Sequence, residues 1–198
     1  MIVGINRSEP HPRPSADYED HFLLRILGAI RERQATTQFI AFTCPQTHAF
    51  YAGMERVLIE GPGIGLGMFG GRAGALDSAM RSAGIELLLS PIDIAPQKPA
   101  VPQIVLALSI GPWEKGGDAH GYPKLKHIAR ACANASAIVV PTECLRRRCL
   151  DLFEVPLDKT IVAPPGVSAA FDAPQPSMLD DPYIILIDDA MSTQYVPE

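Results

Sequence analysis

Short aliphatic runs alternate with stretches whose apolar residues recur every three or four positions, and this rhythm persists from the first residue to about residue 162. Met1 to Ile5 is apolar and reads as a buried strand. Asn6 to Pro14, with Pro10, Pro12 and Pro14, reads as the stiff loop after it. In Asp17 to Arg33 the residues Phe22, Leu23, Ile26, Leu27 and Ile30 fall on one helical face, and Glu19, Asp20, Arg25, Arg31 and Arg33 are left for solvent. Strands are expected at Gln38 to Thr43 and Glu55 to Ile59, bounded by Gly, Pro or polar residues. The glycine-rich stretch Gly61 to Gly74 leads into a periodic segment through Ala75, Leu76, Met80 and Ala83, with Gly84 placed to close the helix.

The second half repeats the rhythm more regularly. Ile85 to Leu89 and Ile104 to Leu108 are near-continuous aliphatic runs, the mark of parallel strands covered on both faces. A helix from Tyr122 to Asn134, a strand Ala137 to Val140, a helix Thr142 to Phe153 and a strand Thr160 to Val162 follow. Thr142 is suited to cap the second of these helices, and Glu143 to complement its positive end. Together the segments predict an α/β, three-layer Rossmann-like domain with a mainly parallel sheet, whose ligands sit beyond the carboxyl ends of the strands.

Composition narrows the classes of function. A formal net charge of -5 provides no general attraction for phosphate backbones, so nucleic acid is not expected as a partner. No apolar run approaches the ~20 residues of a membrane-spanning helix, and the first residues lack a signal-peptide layout. A cytoplasmic protein is expected, with a peripheral place at the inner face of the membrane as a variant. Cys44, Cys132, Cys144 and Cys149 have no metal-ligand spacing and read as small buried thiols; the five histidines form no HExxH-like pair. Neither a metal nor a cofactor is expected.

Candidate site residues follow from position. Asn6, Arg7, Ser90, Asp93, Ser109, His120, Thr142 and Glu143 fall at predicted strand ends or in the loops after them. Asp93 and His120 are the candidates for a general base, each weighed against a solvated loop residue. Trp113, the only tryptophan, is a stacking platform for a ligand or a rim hydrophobe. Arg146, Arg147 and Arg148 form a basic cluster on one helix, a solvated face by default or a contact for an anionic, lipid-borne ligand. Gly65-Leu-Gly67-Met-Phe-Gly70 satisfies GxGxxG, but Glu86 lies at the start of the next strand, whereas a ribose-gripping acid stands at its end. The glycines therefore read as a flexible cleft loop ahead of a phosphate cradle.

From Ile85 onward the order of segments resembles glycosyltransferases of the GT-B fold and family-4 type, in which two Rossmann-like domains face each other across a cleft. The resemblance rests on Ala129 to Val167. There Ala135-Ser-Ala-Ile-Val-Val-Pro-Thr-Glu143 stands for the family's A-D-x-V strand and V-S-E/T-x-S helix start. Phe153-Glu-Val-Pro-Leu-Asp-Lys-Thr-Ile-Val-Ala-Pro-Pro-Gly-Val-Ser168 stands for L-G-V-P-x-x-K-V-x-V-V-P-N-G-V-D. Ile85 to Pro96 is similar to the strand that delivers a turn beside the acceptor pocket, and Pro182-Tyr-Ile-Ile-Leu-Ile187 to the first strand of the second domain.

The resemblance implies a Rossmann-like acceptor-side N-terminal domain over residues 1–168, a linker over 169–181, and the first strand of a missing C-terminal domain, or a tail, over 182–198. It implies a metal-independent, retaining transfer from a nucleotide-sugar to a sugar or lipid-linked acceptor, with the donor-binding C-terminal domain or a partner chain supplying the other wall of the cleft. Asn6, Arg7, Ser90, Asp93, Ser109, Trp113, Thr142 and Glu143 are then the acceptor-binding candidates. The family's His-Asp is replaced by Leu108-Ser109, and its glycine-rich first loop by Asn6-Arg-Ser-Glu-Pro10. Whether the chain is catalytic is left open at this point. A non-catalytic assembly subunit and, behind it, a nucleotide-binding module using Gly65 to Gly70 stand as alternatives.

Overall fold

The computed structural model describes residues 1–9, 16–60, 71–110 and 125–164, without the side chains of residues 16–22 and 71–73. The chain divides into two compact units, Met1–Pro164 and Pro165–Glu198. The expected linker and the strand Pro182 to Ile187 lie outside the described residues, as does the GxGxxG segment.

The described elements are β1 (Ile2–Arg7), α1 (Ala16–Arg33), β2 (Gln38–Thr43), a 3-10 turn (His48–Tyr51), β3 (Glu55–Leu58), α2 (Gly71–Ser82), β4 (Leu87–Pro91), β5 (Gln103–Leu106), α3 (Leu125–Ala133), β6 (Ala137–Val140), α4 (Glu143–Phe153), a second 3-10 turn (Leu157–Lys159) and β7 (Thr160–Val162). All seven strands join one parallel sheet in the order β3-β2-β1-β4-β5-β6-β7. The expected three-layer α/β, Rossmann-like architecture is therefore present. Among the described residues, no helix is long and apolar enough to cross a membrane.

Strand alternation and register divide the core between two faces. Val3 and Ile5 of β1, Phe39 and Ala41 of β2, Leu89 of β4 and Leu106 of β5 are buried together with Leu23 and Leu27 of α1 and Tyr51 of the 3-10 turn. On the opposite face Ile40, Phe42 and Leu88 pack with Leu76 and Met80 of α2. Further along that face, Val105, Ile138 and Val140 pack with Ile128 and Cys132 of α3 and with Cys149 and Phe153 of α4. This division follows from handedness. Connections running from β1 toward β3 and those running from β3 back toward β7 travel in opposite directions, so right-handed crossovers place their helices on opposite faces.

Two local signals expected from the sequence are realised in detail. Gly84 adopts φ +63°, its N–H bonding Arg81 O at 3.2 Å while the N–H of Ile85 bonds Met80 O at 3.1 Å. This Schellman pattern favours glycine because a side chain is strained in the left-handed region. Thr142 caps α4 through Oγ1, which accepts the N–H of Leu145 at 3.1 Å.

The boundaries differ where polar residues continue a ladder. β1 runs on to Arg7 because Asn6 and Arg7 keep register with Phe42 and Thr43. β4 begins at Leu87 and includes Ser90 and Pro91, which pair with Val105 and Leu106. Glu86 lies just before β4, and its carboxylate accepts the N–H of Ile2 at 2.7 Å. It is thus a clasp at the amino-terminal edge of the sheet, away from the edge where a ribose-gripping acid would stand.

Candidate functional site

Strand order turns around between β1 and β4, so the connections leaving their carboxyl ends diverge and open a crevice, the usual ligand position in such sheets. This edge holds an unusual density of buried polar side chains. Asn6, Arg7, Ser8, Thr43, Thr47, Ser90 and Asp93 are each less than a tenth exposed. Polar groups are kept in such a place only where they are bonded or serve a ligand.

Asn6 spans the crevice. Its Nδ2 donates to Ile94 O at 2.9 Å, and its Oδ1 accepts from the Ser8 N–H at 3.3 Å and the Ser8 hydroxyl at 2.7 Å. The end of β1 is thereby tied to the loop that follows β4, 88 residues along the chain. The Arg7 side chain is 1% exposed, and its backbone carbonyl accepts from the Cys44 N–H at 3.0 Å and Thr47 Oγ1 at 2.8 Å. Asp93 follows β4 at 4% exposure. One guanidinium and one carboxyl therefore stand buried at the same edge of the sheet.

Ser90 has a different character. It is fully buried, at 0% exposure, and among the described residues its hydroxyl has no hydrogen-bond partner. A hydroxyl held without a partner costs folding energy that alanine avoids. Ser90→Ala is expected to raise the free energy of unfolding by about 1 kcal/mol in a urea titration. A drop would show that the hydroxyl is satisfied in solution.

A second concavity, of about 400 Å³, lies further along the same edge. Leu108, Ser109 and Ile110 after β5 form one wall. Pro141, Thr142, Cys144, Leu145 and Arg148, from the β6–α4 junction, form the other. Helical geometry explains the second wall. Leu145, Cys149 and Phe153 recur every four residues, and Cys149 and Phe153 seal the core with Leu145 packed against them. Cys144 and Arg148 occupy the adjoining stripe at the same spacing, beside the cavity.

The expectation of four buried thiols therefore requires one correction. Cys44, Cys132 and Cys149 are buried, but Cys144 is exposed. Burial, reinforced by neighbouring Cys149, pushes the Cys132 thiol up to about 12. A neutral, inaccessible thiol of that kind is inert.

The position-based candidates fall into groups. Asn6, Arg7, Ser90 and Asp93 gather at the crevice. Ser109 and Thr142 line the cavity, though the Thr142 oxygen is already accepting from Leu145 N–H. Glu143 is engaged by Arg146 at 2.7 Å and Arg147 at 3.6 Å, so two of the three clustered arginines are paired within the helix itself. His120 and Trp113 lie outside the described residues. Sequence reasoning missed Ser8, Thr47, His48 and Cys144. His48 Nδ1 lies 2.7 Å from the hydroxyl of buried Thr43, next to Arg7 in the sheet. The available signal was the Thr43-Cys-Pro-Gln-Thr-His48 sequence, a turn rich in side-chain hydrogen-bonding groups directly after a strand. Among the described residues, no cluster of His, Cys, Asp and Glu is arranged to hold a metal ion.

No protein-family model matches the chain, and no curated protein matches it in sequence. Solved structures do match in fold. HepE of Anabaena, in complex with UDP, superposes with a TM-score of 0.56 at 11% identity, over 88% of this chain and 46% of that one. UGT89C1 of Arabidopsis thaliana, complexed with UDP, gives a TM-score of 0.47 at 9% identity over 84% of this chain and 52% of its own. A glycosyltransferase from Rickettsia africae gives 0.42 at 8% identity, over 86% and 44% respectively. The chain thus spans about half the length of these proteins. The likeness to HepE is one of fold.

Proposed function

We propose that this chain is the acceptor-side half of a GT-B glycosyltransferase that moves a sugar from a nucleotide-sugar donor to an acceptor. The observation that carries the reading is the fold shared with HepE, itself in complex with UDP, over 88% of this chain but only 46% of HepE. One Rossmann-like domain with a polar crevice at its carboxyl edge supplies half of a two-domain cleft. The family-4 type is supported by the layout of Ala129 to Val167. In this reading residues 1–168 form the acceptor domain, 169–181 the linker and 182–198 the first strand of the donor domain or a tail.

The chemistry then divides between the halves. The donor half holds the nucleotide and clamps its diphosphate, which leaves as the glycosidic bond breaks. This half places the acceptor hydroxyl within reach of the anomeric carbon, and holding the two reactants in register removes much of the barrier. Asn6, Arg7, Ser90 and Asp93 are the groups that meet the acceptor at the crevice, with Ser109 and Thr142 along the adjoining cavity. In this reading Asp93 draws the proton from that hydroxyl, with His120 the other candidate for the base. Leu108 cannot exchange a proton, so the role carried by a histidine elsewhere in the family passes to another group.

Calorimetric titration of the 198-residue chain with UDP- and GDP-sugars tests the division. The expected result is no donor binding by this chain, and sugar transfer once a donor domain is supplied as a longer product or a partner chain. Micromolar donor binding by the 198-residue chain alone would overturn it.

A further inference from the structure

We infer that the β4–β5 connection, residues 92–102, is a strap that fixes the position of Asp93 from the opposite edge of the sheet, with Gln103 and Asn134 as its positioning residues. The inference rests on the acceptor-side reading above in one respect, the role that Asp93 plays once it is held.

Topology and sequence together shape this connection. β4 and β5 are adjacent parallel strands, so the chain between them must return from the carboxyl edge of the sheet to the amino edge, a crossover commonly filled by a helix. Residues 92–102, all of them described, contain no helix. Ile92-Asp-Ile-Ala-Pro-Gln-Lys-Pro-Ala-Val-Pro102 carries prolines at 96, 99 and 102, each of which removes a backbone donor and clashes with a helical path. Proline at such spacing also stiffens the chain, so a displacement at one end of the strap is carried to the other.

Without helical N–H groups above them, the strap carbonyls need donors from elsewhere. Three side-chain amides from separate parts of the fold supply them. Asn6 Nδ2, in β1, donates to Ile94 O at 2.9 Å. Gln103 Nε2, at the start of β5, donates to Pro96 O at 3.2 Å, and Asn134 Nδ2, just after α3, donates to Gln97 O at 2.8 Å. The first clip lies at the crevice, beside Asp93 in the chain. The other two lie at the amino edge, where the N–H of Ser136 bonds Gln103 O at 2.8 Å.

Gln103 separates positioning from stability. It is fully buried, and among the described residues its Oε1 has no hydrogen-bond partner. Burial of that oxygen costs free energy that an apolar side chain of the same length avoids, which offsets the one bond the amide makes. An amide that adds little to stability still holds Pro96, and through it the strap, in one place.

Native-state hydrogen exchange read by NMR tests the strap in the 198-residue chain. The amides of Ile92 and Ile94, bonded to Leu106 O and Pro91 O, report on the crevice end. Gln103→Met and Asn134→Ala are each expected to raise exchange there about three- to tenfold, although the bonds removed end on Pro96 and Gln97. Amides of β1 and the urea midpoint should stay as in wild type. At fixed pH the carboxyl carbon signal of Asp93 should move in both variants, and Asn134→Gln, which keeps the donor, should return exchange and signal toward wild type. Asn134 is exposed, so its variants fold even if Gln103→Met does not. Faster exchange confined to Gln97 and Lys98, an unmoved Asp93 signal, or no recovery in Asn134→Gln overturns the inference. So does a uniform rise that includes β1, the mark of global destabilisation. None of these readouts requires sugar transfer. If the strap responds as expected and no transfer appears with a donor domain present, the glycosyltransferase reading fails while the strap stands.

Discussion

Gly4→Ala will yield a protein destabilised by about 1–3 kcal/mol, and Gly4→Val one that is largely unfolded at room temperature. Gly4 lies within β1, flanked by β2 and β4, with the Phe42 ring over its α-carbon. A β-carbon at this position would stand 2.9 Å from Phe42 Cε2, 3.1 Å from Ile85 Cγ2 and 3.3 Å from Leu88 Cδ1. The neighbours have little room to yield. Phe42 and Leu88 are fully buried and Ile85 nearly so, in a cluster that also holds Met80 of α2. Interiors are packed at crystal-like density, so an added methyl must displace an aromatic ring and, through it, the α2 layer. Urea unfolding followed by circular dichroism measures the loss. A Gly4→Ala protein within 0.5 kcal/mol of wild type, well under the roughly 1 kcal/mol floor of overpacking, would show that Phe42 has an alternative rotamer at little cost.

Asn6→Asp is expected to lose about 3 kcal/mol at neutral pH and to loosen the loop after β4. The side chains are isosteric, so packing is unchanged and only the hydrogen bonding differs. The Nδ2 that donates to Ile94 O at 2.9 Å becomes an oxygen facing an oxygen, in a residue 1% exposed. Ser8 still donates to the other oxygen, which limits the penalty but leaves the crevice without its tie. Acid should restore part of the loss. Once protonated, the introduced carboxyl group can donate to Ile94 O, so the gap from wild type narrows as pH falls through that group's titration. Hydrogen exchange at Ile92 and Ile94 separates local opening from global unfolding: their amides should gain exchange in Asn6→Asp before those of β1 do. If stability were unchanged at pH 7, the Asn6 bridge would not be a determinant of the crevice.

These two positions in β1 show why fold and site were unequally legible. The aliphatic runs Ile104 to Leu108 and Ala137 to Val140 locate strands buried on both faces, because an α/β sheet needs apolar residues at nearly every position. The Leu23–Leu27 and Leu76–Met80 spacings locate helices because period and burial are coupled through local geometry. Gly84 and Thr142 mark helix ends because their caps depend on residues within a turn of themselves. Such signals are local, and one sequence contains them.

Asn6, Arg7, Ser90 and Asp93 follow from the same local reasoning, as residues near strand ends. Nothing local, however, makes β1 and β4 neighbours with β2 and β3 on the far side. That order depends on the direction of each crossover and the handedness that packs its helix back on the sheet. The extension of β1 through Arg7 was likewise hidden, since polar residues carry no strand signal until Phe42 and Thr43 are beside them. Cys144 illustrates the opposite case. Its four-residue spacing to Arg148 was visible, but whether that stripe faced core or cavity depended on where the β5 loop came to rest. The sequence by itself determined the elements, their caps and the α/β class, because these follow from periodicity and the chemistry of a single turn. Only the tertiary structure decided which strand ends meet, which polar side chains are buried together and which thiol remains exposed, because those depend on contacts between residues tens of positions apart.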